Sequence, residues 1–115
     1  MMTPEDRARF ACKCGCGFDT VDVDLHTLVR IVENEFGPIT INSACRCREH
    51  NRLVKGSQGS QHTLGRAIDF YVPGTDIENV ATWIEARHSD IGLGRYNNFL
   101  HIDTRGYRAR WGADK

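Results

Sequence analysis

The stretch that most constrains the fold is SQHTLGRAIDF, residues 60–70, which places His62 and Asp69 seven positions apart around Gly65. In a continuous helix the rise between two such residues is about 10.5 Å, too far for both side chains to hold one ion. In a continuous strand an odd separation puts them on opposite faces. A turn at residues 63–65 that leads into a strand avoids both problems, and Gly65 permits the positive φ of such a turn. The stretch therefore predicts a turn and strand that bring His62 back over Asp69.

The segments on either side predict a mixed set of elements. Apolar residues at helical spacing follow Asp22 and stop at Gly37-Pro38, and a second such run follows Asp76. Alternating β-branched residues and turn residues mark strands. In chain order we expect an irregular arm (1–20), a helix ending at Phe36, a strand (39–44), one or two helical turns (47–54), a loop (55–61), a strand (66–72), a helix (76–88) and two short strands joined at Asn97-Asn98 (91–105).

Strands that follow helices and end in a hairpin predict an α+β fold, with a small antiparallel sheet and helices packed on one side. The chain has 115 residues, which is the size of one domain, so we expect a single domain over residues 1–115. The tail after residue 105 is assigned no element and is notable only for Trp111.

Charge and hydropathy exclude several partners. Fifteen Lys and Arg balance fifteen Asp and Glu, which argues against the broad basic face of nucleic-acid-binding proteins. No apolar run approaches the roughly 18 residues of a membrane helix, and the start, MMTPEDRARF, lacks the pattern of a signal peptide. We therefore expect a protein that is made in the cytoplasm, does not insert into membranes and does not bind nucleic acid. We also expect a monomer.

Five cysteines form two clusters, C-x-C-x-C and C-x-C. A structural zinc site is one reading, although its usual pattern is pairs of C-x-x-C. A disulfide between the clusters is a second reading and requires an oxidising compartment. Free thiols are the third. All three readings stay open for the complete set, Cys12, Cys14, Cys16, Cys45 and Cys47.

A third metal-binding group is available in FLHID (99–103), where His101 lies in an apolar strand that can pair with residues 66–72. Two imidazoles and one carboxylate, with a fourth position open to water, are the ligand set of a hydrolytic zinc site. Read separately, His62 can be an exposed loop residue, Asp69 a strand-end cap and His101 a core histidine.

The pattern S-x-H-x-x-G-x-A-x-D at residues 60–69 resembles the metal-binding signature of the M15 zinc peptidases. That family includes D-alanyl-D-alanine carboxypeptidases, VanX- and VanY-type enzymes and phage L-alanyl-D-glutamate endolysins, and it is related to the hedgehog signalling domain. The segments INSACRCREHN (41–51), GLGRYNNFLHIDTRG (92–106) and ARW (109–111) are also similar to family segments. The resemblance covers about residues 10–112, is strongest to short phage-associated members, and implies a hedgehog/DD-peptidase-like fold.

The resemblance also implies roles for individual residues. His62, Asp69 and His101 match the ligands of one catalytic zinc ion. Ser60 matches a serine that contacts the substrate. Arg46 matches an arginine that can bind a peptide carboxylate or carbonyl and stabilise the oxyanion formed during hydrolysis.

One position departs from the family pattern. Many members have an acidic general base three residues before the last histidine, where this chain has Asn98. Asp103 is the best substitute, because a side chain two residues along a strand from His101 points to the same face. The alternative for Asp103 is an ion pair with Arg105 or a role in orienting a metal ligand.

The resemblance implies a zinc peptidase that hydrolyses peptidoglycan stem peptides, of the D-Ala-D-Ala carboxypeptidase or L-Ala-D-Glu endopeptidase type. The setting it implies is a phage or prophage lytic enzyme that acts at the cell wall or in the periplasm after holin-type release. The alternative is a zinc-binding structural or interaction module that has lost activity, and Asn98 keeps this alternative open.

Overall fold

The computed structural model describes residues 2–56 and 59–112. Residues 57–58 of the expected loop and the two ends of the expected domain, residue 1 and residues 113–115, lie outside the described residues. The described residues form four α-helices, one 3₁₀ turn and five strands. In chain order these are α1 (Pro4–Phe10), α2 (Val23–Phe36), β1 (Thr40–Ser43), α3 (Arg48–Leu53), the 3₁₀ turn (Gln61–Leu64), β2 (Ala67–Tyr71), α4 (Ile77–Arg87), β3 (Gly92–Arg95), β4 (Leu100–Asp103) and β5 (Ala109–Gly112).

The five strands form one sheet in the order β1-β2-β4-β3-β5, which confirms the predicted α+β class. Neighbouring strands are antiparallel except β3 and β5, which are parallel. Strand β5 comes from the tail to which the sequence analysis assigned no element. Two side chains of β5 bond to residues that flank β3 and are distant in sequence. The Arg110 Nη1 donates to the Ile91 carbonyl at 2.6 Å, and the Trp111 Nε1 donates to the Tyr96 hydroxyl at 2.9 Å.

Side chains of the central strands β2 and β4 alternate between an apolar face and a polar face of the sheet. Ile68 pairs with Ile102, and Phe70 pairs with Leu100; all four side chains are buried in the core. The same core contains apolar residues of α2 and α4 (Leu25, Leu28, Val29, Val32, Val80, Ala81 and Ile84). Burial of each large apolar side chain contributes about 1.5–3 kcal/mol. The alternate residues of β2 and β4 carry the polar groups described below.

The two long helices begin and end close to the predicted positions. Helix α2 follows Asp22 and stops at Gly37, which has a φ of 91° and donates its N–H to the Glu33 carbonyl. Helix α4 follows Asp76, whose side chain accepts the Glu78 N–H. Among the described residues, none of the helices is long and apolar enough to cross a bilayer.

The amino-terminal segment differs from the irregular arm expected over residues 1–20, because Pro4–Phe10 is helical. Thr3 and Asp6 form a reciprocal capping box, and Pro4 occupies the first turn, where its missing N–H is not needed. Phe10 is the single buried residue of this helix. With one apolar anchor the segment shows no helical period, so its sequence pattern does not predict a helix.

Two glycines of β3 make room for larger side chains on the polar face of the sheet. A Cβ atom on Gly92 would overlap the Asp103 carboxylate, and one on Gly94 would overlap the Trp111 indole. These glycines therefore allow both side chains to approach the β3 backbone closely.

We predict that Gly92→Ala destabilises the protein by about 1–3 kcal/mol, because the added methyl displaces the Asp103 carboxylate from its partners. Without such a clash, Ala in a strand is normally favoured over Gly. Denaturant unfolding checks this, with Gly59→Ala as the control, because a Cβ there meets no atom within 4 Å. Equal stability of the Gly92 variant and the wild type would contradict the prediction.

Candidate metal centre

The 3₁₀ turn and strand β2 bring His62 over Asp69, as the opening stretch predicts. Gly65 ends the turn in the left-handed conformation with a φ of 68°. The His62 Nε2 lies 3.3 Å from the Asp69 Oδ1. The turn therefore brings together two side chains that neither a helix nor a strand could place on one ion.

The third residue comes from the neighbouring strand. His101 of β4 pairs directly with Asp69 of β2, and its Nδ1 lies 2.9 Å from the same carboxylate oxygen. One ligand atom from each of His62, Asp69 and His101 lies within 4.8 Å of the other two. The structure therefore assembles all three residues that sequence analysis selected.

The remaining nitrogen of each imidazole is hydrogen-bonded away from the cluster. The His62 Nδ1 lies 2.7 Å from the Ala44 carbonyl, so it carries a proton and donates. The His101 Nε2 lies 2.7 Å from the Asp103 Oδ2 and is also the donor when the carboxylate is ionised. The nitrogens that face Asp69 are therefore His62 Nε2 and His101 Nδ1, which can donate to the carboxylate when protonated and can bind a cation when deprotonated. Histidine ligands of metals are commonly held in this way, so the donor set fits a bound divalent cation.

Asp103 is fully buried, and both of its oxygens are engaged. Its Oδ2 faces the His101 Nε2 and accepts from the Arg105 Nη2 at 2.8 Å. Its Oδ1 accepts from the Arg105 Nε at 2.8 Å. This geometry matches the alternative reading, in which Asp103 pairs with Arg105 and orients His101. It does not favour the expected general base, because a base must present an oxygen to water.

The electrostatics of the cluster favour ionised carboxylates. Burial raises the pKa of Asp69, but hydrogen bonds from His101 and His62 outweigh burial and hold that pKa well below its ordinary value. Asp103 behaves in the same way, with Arg105 and His101 lowering its pKa against burial. Burial lowers the pKa of His101, yet its bonds to Asp103 and Asp69 raise it above the ordinary value.

Arg46 lies on the other side of Asp69 and is held in place by its neighbours. Its Nη2 lies 3.6 Å from the Asp69 Oδ2, and its Nη1 donates to the Asn51 Oδ1 at 2.9 Å. A Cβ on Gly56 would overlap both Asn51 and Arg46, so glycine lets the chain pass close to this pair. The Asp69 carboxylate therefore faces two imidazoles with one oxygen and a guanidinium with the other.

A family model described as Peptidase M15 matches residues 6–103, which is most of the chain. The chain belongs to the M15 peptidase family. The match contains the 3₁₀ turn, β2 and β4, and therefore His62, Asp69 and His101. A comparison with curated protein sequences gives no match.

In this M15 peptidase the cluster of His62, Asp69 and His101 opens into a cleft of about 530 Å³. Ser60 lines the cleft, and its Oγ accepts the His62 N–H at 3.2 Å. Arg46 also lines it. Asn98, by contrast, is exposed in the turn that joins β3 to β4. The two residues expected to contact substrate thus border the cleft.

One wall of the cleft is aromatic, and local sequence patterns do not predict it. The rings of Tyr96 and Phe99 stack with centroids 4.5 Å apart, and the Trp111 ring lies 5.0 Å from the His101 ring. These residues are distant in sequence or lie in a turn, so only the β3–β4 hairpin and the β5 pairing bring them together.

Two polar residues of the cleft were also missed. The Gln61 Oε1 is buried and has no hydrogen-bond partner among the residues that the structure describes. Lys55 adopts a φ of 60°, which is uncommon for a residue other than glycine. The position of Gln61 beside His62 in the motif was the available signal, and Lys55 carried none.

We predict a characteristic pH dependence of stability for the metal-free protein. The lowered carboxyl pKa values add stability above about pH 4, which is lost as the pH falls through the folded-state values. The raised His101 pKa adds stability below about pH 6.5, which is lost as the pH rises through its folded-state value. Denaturant unfolding of chelator-treated protein, measured across this pH range and beyond both ends, should show a maximum in the free energy of unfolding between about pH 4 and pH 6.5.

The control for this profile is Asp69→Asn, which removes the charge shared by the two imidazoles. We expect a flatter profile on both sides, since Asp69 itself titrates and also raises the His101 pKa. Parallel profiles for the variant and the wild type would contradict the prediction.

Proposed function

We propose that this chain is a zinc-dependent peptidase that hydrolyses peptide bonds in peptidoglycan stem peptides. The observation that carries the proposal is the convergence of His62 Nε2 and His101 Nδ1 on Asp69, each with its other nitrogen already bonded. Membership of the M15 peptidase family supports the reaction class. The resemblance to peptidoglycan-cleaving members supports the substrate class.

One zinc ion held by His62, Asp69 and His101 would supply a Lewis acid that polarises the scissile carbonyl and makes water nucleophilic near neutral pH. The chain's own groups orient the reactants around it. Arg46 offers a guanidinium beside the ligand carboxylate, suited to a peptide carboxylate or to the developing oxyanion. Ser60 borders the same cleft and is placed to contact the peptide.

Charge in the cleft suits an anionic peptide. Arg46, Lys55 and Arg105 line it, and Asp69, which belongs to the metal-binding cluster, is the acidic residue of the lining among the residues described. Stem peptides carry free carboxylates, so a cationic cleft attracts them. The bond cleaved is of the D-Ala-D-Ala or L-Ala-D-Glu type, as in the relatives that the sequence resembles.

The resemblance to short phage-associated members also supports the biological setting. We propose a monomeric phage or prophage lytic enzyme that reaches the cell wall after holin-type release. Neither nucleic acid nor a membrane is needed for this role.

Asp103 acts in this proposal as a positioning residue. It fixes the tautomer and the orientation of His101, and Arg105 fixes Asp103 in turn. The effect of Asp103 on hydrolysis should therefore pass through metal binding.

A second candidate function is stem-peptide or metal binding without cleavage. The observation in its favour is that Asp69 and Asp103 both have engaged oxygens and that Asn98 occupies the position of the usual base. Binding of muropeptides that are recovered intact would select this function.

We predict that the zinc-loaded protein cleaves purified muropeptides and that Asp69→Ala abolishes cleavage, because a carboxylate ligand is lost. Mass spectrometry of the products identifies the bond. Asp24→Ala is the control, since Asp24 is exposed at the start of α2 and should keep full activity. Recovery of intact muropeptides across a range of stem structures would contradict the proposed peptidase activity.

We predict that Asp103→Asn weakens zinc binding by about 10–100-fold, as loss of a ligand-orienting partner commonly does. Activity should recover at saturating zinc, because the amide oxygen can still accept the His101 proton. Zinc titration with parallel rate measurements separates the two roles. Normal zinc affinity combined with a rate that stays low at saturating zinc would restore Asp103 as the general base.

A further inference from the structure

Four of the five cysteines meet at one point on the surface, away from the cluster of His62, Asp69 and His101. Ligand atoms of these four all lie within 4.8 Å of one another: Cys12, Cys14, Cys16 and Cys47. Three come from the segment between α1 and α2, and Cys47 immediately precedes α3. Cys45 is buried elsewhere in the apolar core, which accounts for the odd number of cysteines.

The spacing of the sulfurs matches a tetrahedral site. The Cys12 Sγ lies 3.4 Å from the Cys14 Sγ and 3.9 Å from the Cys47 Sγ, and the Cys14 and Cys47 sulfurs are 3.6 Å apart. Zinc–sulfur bonds of about 2.3 Å in tetrahedral geometry place ligand sulfurs roughly 3.8 Å apart. The three distances lie close to this value, and the Cys16 Sγ lies within 4.8 Å of the other three sulfurs, whereas a disulfide would pair two sulfurs at about 2.05 Å.

Backbone N–H groups point at two of these sulfurs. The Cys47 N–H donates to the Cys12 Sγ at 3.5 Å, and the His50 N–H donates to the Cys47 Sγ at 3.4 Å. Hydrogen bonds to a charged form favour that form, so these donors stabilise thiolates, the state in which cysteine binds metals.

The loop itself is shaped to turn its cysteines inward. Gly15 and Gly17 have φ values of 82° and 95°, and open space surrounds both, so glycine serves the conformation and not the packing. The Cys12 N–H closes the loop on the Phe18 carbonyl at 2.8 Å. The chain thereby brings residues 12, 14 and 16 to one side of a tight turn.

We propose that Cys12, Cys14, Cys16 and Cys47 bind a structural zinc ion. An all-thiolate tetrahedral set with four protein ligands is closed to water and suits a structural role. The site is independent of the proposed peptidase activity and does not rest on it.

The ion would tie the amino-terminal segment to the part of the chain that carries Arg46. Arg46 lies between Cys45, whose N–H donates to the Phe10 carbonyl, and the ligand Cys47. The Arg46 N–H donates to the His62 carbonyl at 3.1 Å. A metal cross-link is a common device in small domains whose core is modest, and here it would anchor a segment with few apolar contacts.

Metal analysis of protein purified under reducing conditions tests the proposal. We expect two zinc ions per wild-type chain, one in Asp69→Ala and one in Cys14→Ala. Cys45→Ala is the matched control and should keep both ions, because Cys45 is outside the cluster. Equal zinc content in wild type and Cys14→Ala would overturn the proposal, as would mass-spectrometric detection of a disulfide among the four cysteines in this reduced protein.

A second measurement covers the case in which Cys14→Ala fails to fold. Cobalt added to chelator-treated Asp69→Ala, whose other site is disabled, should produce sulfur-to-cobalt charge-transfer absorption and protect four thiols from alkylation. Absence of that absorption, or alkylation of all cysteines at the same rate with and without cobalt, would overturn the proposal. Neither readout uses hydrolysis, so a failed peptidase assay leaves this test intact.

Discussion

The Asp69 carboxylate is the group on which the arrangement of the site depends. Its Oδ1 faces the imidazoles of His62 and His101, and its Oδ2 faces the guanidinium of Arg46. Each partner comes from a different part of the chain, so β2 is the element around which the turn, β4 and the segment after β1 are ordered. The half-buried Asp69 carboxylate is stabilised by such cationic or metal partners, because partial loss of water around an unpaired charge would be costly.

A second carboxylate extends this arrangement outward. Asp103 bonds to the His101 Nε2, on the side of the ring away from Asp69, and accepts two hydrogen bonds from the Arg105 guanidinium. Gly92 leaves room for the Asp103 carboxylate. The result is a chain of oriented groups from Arg105 through Asp103 to the His101 ring. Partners of this kind orient a histidine that would hold a metal.

Local patterns predicted a large part of this structure. Helices α2 and α4 follow apolar periodicity, and the His62–Asp69 spacing requires the turn that is observed. The three cluster residues were identified for the same reason, since their chemistry is visible in their types and spacing. Helix α1 and strand β5 were not predicted. Helix α1 packs through one buried residue, Phe10, and strand β5 packs through Trp111 against Gly94, so neither leaves a periodic pattern in the sequence. The ion pair of Asp103 with Arg105 was expected only as the alternative to a general base, because spacing alone does not decide whether Arg105 folds back onto Asp103.

The most direct test of the account is a crystal structure of the zinc-loaded protein with anomalous data at the zinc edge. We predict an anomalous peak bound by His62 Nε2, an Asp69 oxygen and His101 Nδ1 at about 2.0–2.2 Å, with Asp103 still bonded to the His101 Nε2. A peak bound through the His101 Nε2, or the lack of any peak among these three side chains, would contradict the account.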